Sequence, residues 1–332
     1  VTSAIRTSTG AEHARILGVG GYRPSRIVPN AEIVERIDSS DEWIRTRSGI
    51  VSRRWATPEE TVAAMSVAAG GKALAAAGIQ ADQLGCVLVS TVSHLAQTPA
   101  IATSVATELG AGGVAAFDIS AACAGFCYGL ELAQSMVRTG SATYVLVVGV
   151  ERLSDLTDPD DRSTAFLFGD GAGAVVVGPA EEPGIGPVVW GSDGSQADVI
   201  RQKQTWEQAL ASGEFPHLTM EGNQVFRWAS YAMAKVAQEA LDRAGVRPED
   251  LDAFIPHQAN NRITDAMAKA LKLPDHVVIA RDIAEQGNTS AASIPLAMER
   301  MLATAEVKSG DTALVIGFGA GLVYAAQVIT VP

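Results

Sequence analysis

The chain has 332 residues, of which 47% are hydrophobic, with 32 glycines, three cysteines and a formal net charge of -12. A chain of that length and apolarity buries a large core, enough for two domains or one duplicated unit, and it is not a disordered polymer. Its acidity argues against nonspecific nucleic-acid binding, and three cysteines without framework spacing exclude a disulfide-built secreted scaffold. No basic-then-apolar leader and no bilayer-length apolar run are visible, so the expected location is the cytoplasm, off the membrane.

In chain order, Arg15 to Gly20 reads as a short strand, and residues 30-38 as a helix opened by Asn30. In the following stretch Trp43 and Arg47 stand four apart, on one face if the piece is helical. Such a pair suits a base and a phosphate, although a core tryptophan beside a solvated arginine explains it equally well. Residues 60-77 form an alanine-rich helix stopped by Gly78, Leu84 to Thr91 a buried strand, 93-99 a loop, and 100-109 another helix. His94 in that loop reads as a surface or interface residue. Ala115 to Ile119 is a strand that leads into a helix ending near Gly140, and Tyr144 to Val150 is the next strand.

The chain repeats itself. Residues 72-90 match 239-257, pairing Gly78 with Gly245 and Leu84 with Leu251, and Gly140 to Gly149 echoes Gly310 to Phe318 at a slightly different offset. Two similar strand-and-helix units therefore make up most of the chain. The second offset aligns Cys123 with Ser293. If the halves pack about a pseudo-twofold axis, equivalent helix starts and strand ends meet at a shared centre, and Cys123, His257 and Asn288 all lie near it.

Each of these three has an ordinary use. Free cysteines are usually small buried hydrophobes, which is the reading for Cys86 and Cys127. Cys123 differs in standing at a helix start, where unpaired N-H groups and the helix dipole favour thiolate. His257 directly follows the strand Phe254-Ile255-Pro256, and Asn288 lies in a glycine-led polar turn. Together they suit acyl-thioester chemistry, with the thiolate attacking and the other two donating hydrogen bonds to a developing oxyanion. The runs Gly169 to Ala174 and Gly317 to Gly321 lack the order of a dinucleotide fingerprint. They read as close backbone approaches, with Gly319 near enough to support an oxyanion. No metal-ligand spacing is evident.

DSSDEWIRTRSGI (38-50), DISAACAGF (118-126), DRSTAFLFGDGAGA (161-174), MEGNQVFR (220-227), HQANNRI (257-263), GNTSAAS (287-293) and GFGAG (317-321) together resemble the β-ketoacyl-acyl carrier protein synthase III family of the thiolase-like superfamily, over nearly the whole chain. The resemblance implies an α/β, five-layered αβαβα fold made of two duplicated halves, here 1-180 with the nucleophile and 181-332 with the histidine and asparagine, usually as a homodimer. It implies Cys123 as the acyl-accepting nucleophile, with His257 and Asn288 promoting decarboxylation. Trp43 and Arg162 would hold the adenine of coenzyme A, Arg47 would lie near its phosphates, and Asn260 would support the pantetheine. Arg227 and Arg262 would face an acidic acyl carrier protein. An acyl-CoA primer would load the cysteine, and malonyl-acyl carrier protein, entering on a phosphopantetheine arm, would condense with it. No permanently bound cofactor is implied.

Three questions stay open at this level. The pathway is fatty-acid initiation or polyketide priming. Residues 191-219 either cover the entrance or form a solvent loop, and the loop Gln97-Thr98-Pro99 is expected to approach the acyl pocket, within the chain or across a dimer. A non-decarboxylating acyltransferase or a noncatalytic partner of a synthase remains the alternative to the condensing enzyme.

Overall fold

A computed structural model describes residues 5-332. Two mixed five-stranded sheets dominate it. The first runs in the order His13–Tyr22, Asp170–Ala180, Val145–Arg152, Cys86–Ser90, Ala115–Ile119, and the second Val189–Ser192, Val323–Thr330, Thr312–Gly319, Ala253–Pro256, Val278–Ile279. Position by position the two orders correspond. In each sheet the three strands farthest from the His13 or Val189 edge run parallel, and the other pairings are antiparallel.

Strand periodicity sorts these residues into layers. Cys86, Leu88, Val145 and Val147 of the first sheet and Ala253, Ile255, Ala313 and Val315 of the second face a common core, filled by the helices Gly125–Thr139 and Ser293–Ala303. The intervening residues Val87, Val89, Leu146 and Val148 point the other way, onto Val62–Ala77 and Ile101–Leu109. Phe254, Leu314 and Ile316 likewise face Gly222–Ala244 and Asn261–Ala270. Because both faces of each sheet are covered, its strands are continuously apolar rather than alternating. The result is the expected five-layered αβαβα arrangement.

The repeat needs one correction. Ala122–Ala124 and Ser290–Ala292 are matching single 3-10 turns, and the helices that follow start at Gly125 and Ser293. Cys123 therefore corresponds to Ala291, and Ser293 to Gly125. The echo offset is read at Gly140 and Gly310, beyond helices of 15 and 11 residues, and does not carry back to the turns before them, whereas packing about the axis is reciprocal. A Cβ on Gly149 would lie 2.2 Å from the Ala291 carbonyl oxygen, and one on Gly317 2.8 Å from that of Cys123. Each half thus seats its helix-start backbone on a strand glycine of the other, where no other residue leaves room.

Asn30 also differs from expectation. The helix it opens spans only Asn30–Ile33 and has no side-chain cap. The Asn30 amide instead donates to Asp41 and to the Ile50 carbonyl, and its oxygen accepts from the buried Arg53. Arg53 in turn donates to the carbonyls of Val28 and Phe166, at 3.1 and 2.7 Å. Desolvation lowers its pKa to about 10 without neutralising it. This polar knot joins the helix Asp41–Ser48 to the segment around 161-168, and so builds one wall of the site.

Candidate active site

Cys123 lies in the 3-10 turn between the strand Ala115–Ile119 and the helix Gly125–Thr139. Ala122 before it has φ 44°, a left-handed conformation that costs a non-glycine residue roughly 1–2 kcal/mol. The helix N-cap, Ala124, offers its first turn no side-chain partner, as a nucleophile-presenting helix start requires. Gly319 closes the other side, where a Cβ would come within 2.9 Å of the Cys123 sulfur. Part of Cys123 is accessible from the pocket, yet enough protein surrounds it that burial pushes the thiol up to about 12, against a lowering contact from Ser290. Desolvation thus acts against the helix start, which favours thiolate. Cys86 and Cys127 are buried thiols of the core.

His257 follows its strand directly, and its N-H donates to the Ile316 carbonyl at 2.7 Å. Only 2% of its surface is exposed, and burial drives its pKa down to about 3, so the ring is neutral. Its Nδ1 lies 2.7 Å from the Ser293 hydroxyl, which also accepts the Gln258 N-H at 3.2 Å. One lone pair of the hydroxyl serves Gln258, and we assign its proton to the bond with Nδ1 and the imidazole proton to Nε2. Asn288 is held by a similar logic. Its backbone exchanges hydrogen bonds with Leu167 and Gly169, and its side-chain oxygen accepts from the Ser290 N-H at 2.9 Å. Its NH2 group is thus turned outward as a donor. Phe318 packs edge-on against His257 at 5.3 Å and keeps this side dry.

Cys123, His257 and Asn288 all line one cavity of ≈ 690 Å³. Its mouth carries the sequence-selected cations. Ser40 caps the helix Asp41–Ser48 through the Trp43 N-H, Gly49 ends it, and Ile44 and Ser48 form its buried face. Trp43 and Arg47 therefore share the pocket side. The Arg162 guanidinium stands 5.1 Å above the Trp43 ring, and Phe166 meets that ring edge-on at 5.4 Å. Asn260 donates to the Arg47 carbonyl and caps its own helix at Arg262. Arg262 lies over Phe226 at 4.7 Å and lines the cavity, whereas Arg227 is exposed on the helix beyond it and does not. Three arginines thus make a positive rim on an acidic chain.

Residues 191-219 are not a plain loop. Ile200–Gln202 pairs with Leu218–Met220, and Ile200 and Met220 line the cavity. Within this chain Gln97, Thr98 and Pro99 are exposed and outside the cavity wall, so the expected approach to the acyl pocket is not made by the chain's own loop. Sequence reasoning gave Ser290 no role at Asn288 and Ser293 no role at His257. Neither carries a motif of its own, although the three-residue spacing of Ser290 and Ser293 after Asn288 is a readable trace of the turn. Among the described residues no group of three His, Cys, Asp or Glu side chains forms a metal site, and no helix is long and apolar enough to cross a membrane.

Comparison with known proteins agrees with this geometry. Residues 117-194 match the family model of 3-oxoacyl-[acyl-carrier-protein] synthase III, and residues 241-331 that of its C-terminal part. A β-ketoacyl-[acyl-carrier-protein] synthase III of Streptomyces coelicolor is 67% identical, over 99% of this chain and 100% of that protein. Among solved structures, the priming β-ketosynthase of the R1128 polyketide biosynthetic pathway matches with TM-score 0.97 at 48% identity, covering 99% of both chains. The 3-oxoacyl-[acyl-carrier-protein] synthase III of Aquifex aeolicus matches with TM-score 0.89 at 39% identity, covering 96% of this chain and 99% of that one. Two-thirds identity over essentially the full length of both proteins, with cysteine, histidine and asparagine at one cavity, means that the chain belongs to the β-ketoacyl-acyl carrier protein synthase III family of enzymes.

Proposed function

We propose that the chain joins a short acyl-CoA primer to malonyl-acyl carrier protein by decarboxylative Claisen condensation, through an acyl-Cys123 intermediate. The observation that carries this reading is the cavity itself, with a thiol and two oriented hydrogen-bond donors at its base and an aromatic, cationic mouth. Trp43 and Arg162 stack the adenine, Arg47 meets the phosphates, and Asn260 steadies the pantetheine. Cys123 attacks the primer thioester, with backbone support beside Gly319, and free coenzyme A leaves. Malonyl-carrier protein then docks on Arg227 and Arg262 and threads its phosphopantetheine arm inward. The Nε2-H of His257 and the NH2 of Asn288 bind the thioester oxygen of the malonyl group. As carbon dioxide departs, that oxygen gains charge, so both bonds strengthen in the transition state and lower its energy. The enolate carbon attacks the Cys123 thioester and expels the cysteine sulfur. His257 suits this donor role because burial keeps it neutral while its proton faces the substrate. These steps draw on thioesters and side chains and call for no resident cofactor.

Fatty-acid initiation is the favoured pathway, given the names carried by the highly identical relatives. Polyketide priming is the second reading, supported by the likeness to the R1128 enzyme. The enzyme works in the cytoplasm as a homodimer. The strand Ala115–Ile119, an unpaired sheet edge with Phe117 38% exposed, is the surface suited to a second copy.

Intact-protein mass spectrometry with competing acetyl-, propionyl- and isobutyryl-CoA, followed by malonyl-carrier protein, tests the reading. Acyl mass on Cys123, chased by the malonyl substrate with release of carbon dioxide, is expected. Cys123→Ala abolishes loading, while Asn288→Ala spares it and slows condensation by roughly 10²–10³-fold. Loading at another residue, or chase without carbon dioxide, overturns the assignment. Chase onto a fatty-acid carrier and not a polyketide carrier decides the pathway.

A further inference from the structure

The aromatic and cationic mouth of the cavity has two jaws from distant parts of the chain, and one buried side chain ties them together. Trp43 stands on the helix Asp41–Ser48, whereas Arg162, 5.1 Å above its ring, stands on the segment 161-168. Asn30 grips that helix at both ends. Its amide donates to the carboxylate of Asp41, the first helical residue, and to the carbonyl of Ile50, just past the Gly49 cap, at 2.8 Å each. The opposite jaw is a stiff turn. The Asp161 carbonyl accepts the Thr164 and Ala165 N-H groups at 3.2 and 2.9 Å, and its carboxylate accepts the Ser163 and Thr164 hydroxyls at 2.8 and 2.7 Å, so the Arg162 backbone is fixed to that of Phe166. A single nitrogen of Arg53, Nη2, serves both jaws, donating to the Asn30 oxygen and to the Phe166 carbonyl at 2.7 Å each. Arg53 has none of its surface exposed, and all three of its acceptors are neutral. Burying a cation without a carboxylate beside it is costly, so core filling alone does not account for an arginine here.

We propose that Arg53 is a positioning residue for acyl-CoA, fixing the backbones of both jaws so that the adenine meets a preformed clamp. The proposal rests on the reading of Trp43 and Arg162 as the adenine site. An inserted base needs about 3.5 Å to the group on each face, more than the resting gap provides. Something must therefore open. With Trp43 held through Asn30 and Phe166 held directly, the opening is confined to the Arg162 side chain, which swings away from the ring and settles over the base. Without Arg53 the two jaws are free to drift, and binding then includes the entropy of ordering them. The cost falls on the nucleotide alone. Cys123 lies at the far end of the cavity, so a primer already bound loads at the usual rate, and a thioester that carries no adenine makes no use of the jaws.

Acylation of Cys123, followed by mass, tests this with acetyl-CoA and with acetyl-pantetheine, the same thioester without its nucleotide, in wild type, R53M, D41A, W43A and R53M/W43A. R53M should raise the acetyl-CoA concentration for half-maximal loading about 10-fold, part of the roughly 5- to 150-fold that a lost stacking platform costs. Its maximal loading rate and its use of acetyl-pantetheine should stay within about twofold of wild type. R53M/W43A should be no worse than W43A, since a residue that acts through another adds nothing once the other is gone. Methionine keeps the Cβ of Arg53, which a Cβ on Gly287 would meet at 3.0 Å, so the turn before Asn288 keeps its packing. Asp41 is half exposed, so D41A cuts the Asn30 link from the surface and leaves the core filled. It should show the same selectivity at about threefold, the worth of one hydrogen bond. Equal losses with both thioesters, or wild-type use of acetyl-CoA by D41A, overturn the proposal whether or not R53M folds. A loss in R53M that adds to that of W43A does the same. If W43A itself uses acetyl-CoA like wild type, the adenine reading beneath the proposal is what fails.

Discussion

Replacing Ser293 by alanine removes the group that orients His257. Ser293 is 1% exposed, and its hydroxyl serves two buried partners, Nδ1 of His257 at 2.7 Å and the Gln258 N-H at 3.2 Å. Alanine leaves both unpaired in a site too dry to hydrate them, which costs roughly 1–3 kcal/mol. The chemical effect is separate. Without the hydroxyl proton at Nδ1, the ring is free to carry its own proton there, and Nε2 then faces the malonyl oxygen as an acceptor. Losing an oxyanion donor outright costs about 10²–10³-fold. A ring that still samples the correct tautomer loses less, so we expect condensation to slow about 10- to 100-fold. Cys123 acylation, which does not use the Nε2 proton, should change by less than about threefold. Urea unfolding, single-turnover acylation and carbon dioxide release separate the three effects, and nitrogen-15 NMR of the imidazole reads the tautomer directly. A variant that is destabilised but keeps wild-type condensation and the Nε2-H signal refutes the reasoning, as does equal loss of acylation and condensation.

Removing the Trp43 ring by W43A deletes the stacking platform under Arg162. Base stacking is worth about 1–3 kcal/mol, so KM for acyl-CoA should rise by about 5- to 150-fold with little change for malonyl-carrier protein, which brings no adenine. Equal effects on both substrates would place Trp43 elsewhere in the mechanism. G319A puts a methyl group 2.9 Å from the Cys123 sulfur, and a nucleophile displaced by about 1 Å should load on the order of 10²-fold slower. Wild-type loading in a folded G319A protein would contradict that. Stability against pH has two opposed parts. His257, held neutral with a pKa near 3, costs stability as pH falls from about 6.5 toward 3, because the unfolded chain binds a proton that the folded one refuses. Glu151, raised to about 7, costs stability as pH rises from about 4.5 to 7, because the folded chain keeps a proton that the unfolded one releases. E151Q removes the second part. Relative to wild type it should gain up to about 1.4 kcal/mol per pH unit between about pH 4.5 and 7, measured by urea unfolding. A pH-independent difference would show that Glu151 does not titrate there.

Much of this molecule is readable in one dimension. The apolar strands, the glycine-stopped helices and the repeat linking Gly78 to Gly245 predict two like halves, because element type depends on local spacing and chain stops. Cys123, His257 and Asn288 are also visible, since each stands where a strand meets a turn or helix, and strand ends are where buried scaffolds present side chains to a cavity. Trp43 and Arg47 share a face by their spacing alone. Locally, however, their tryptophan is as good a core residue as a ligand platform. Only Arg162, more than a hundred residues away and 5.1 Å above the ring, distinguishes the two.

What the amino-acid order determined by itself was the set of elements, their duplication and the chemical types gathered for the site. Tertiary structure alone decided their states. Burial pushes the Cys123 thiol up, against the expectation drawn from the helix start, and drives the His257 ring toward neutrality, because burial is a property of what packs around a group and not of its neighbours in sequence. Packing about the pseudo-twofold axis set Ala291, not Ser293, opposite Cys123, and thereby freed the Ser293 hydroxyl to orient His257. Those contacts join residues tens to more than a hundred positions apart, and local spacing carries no information about such distances.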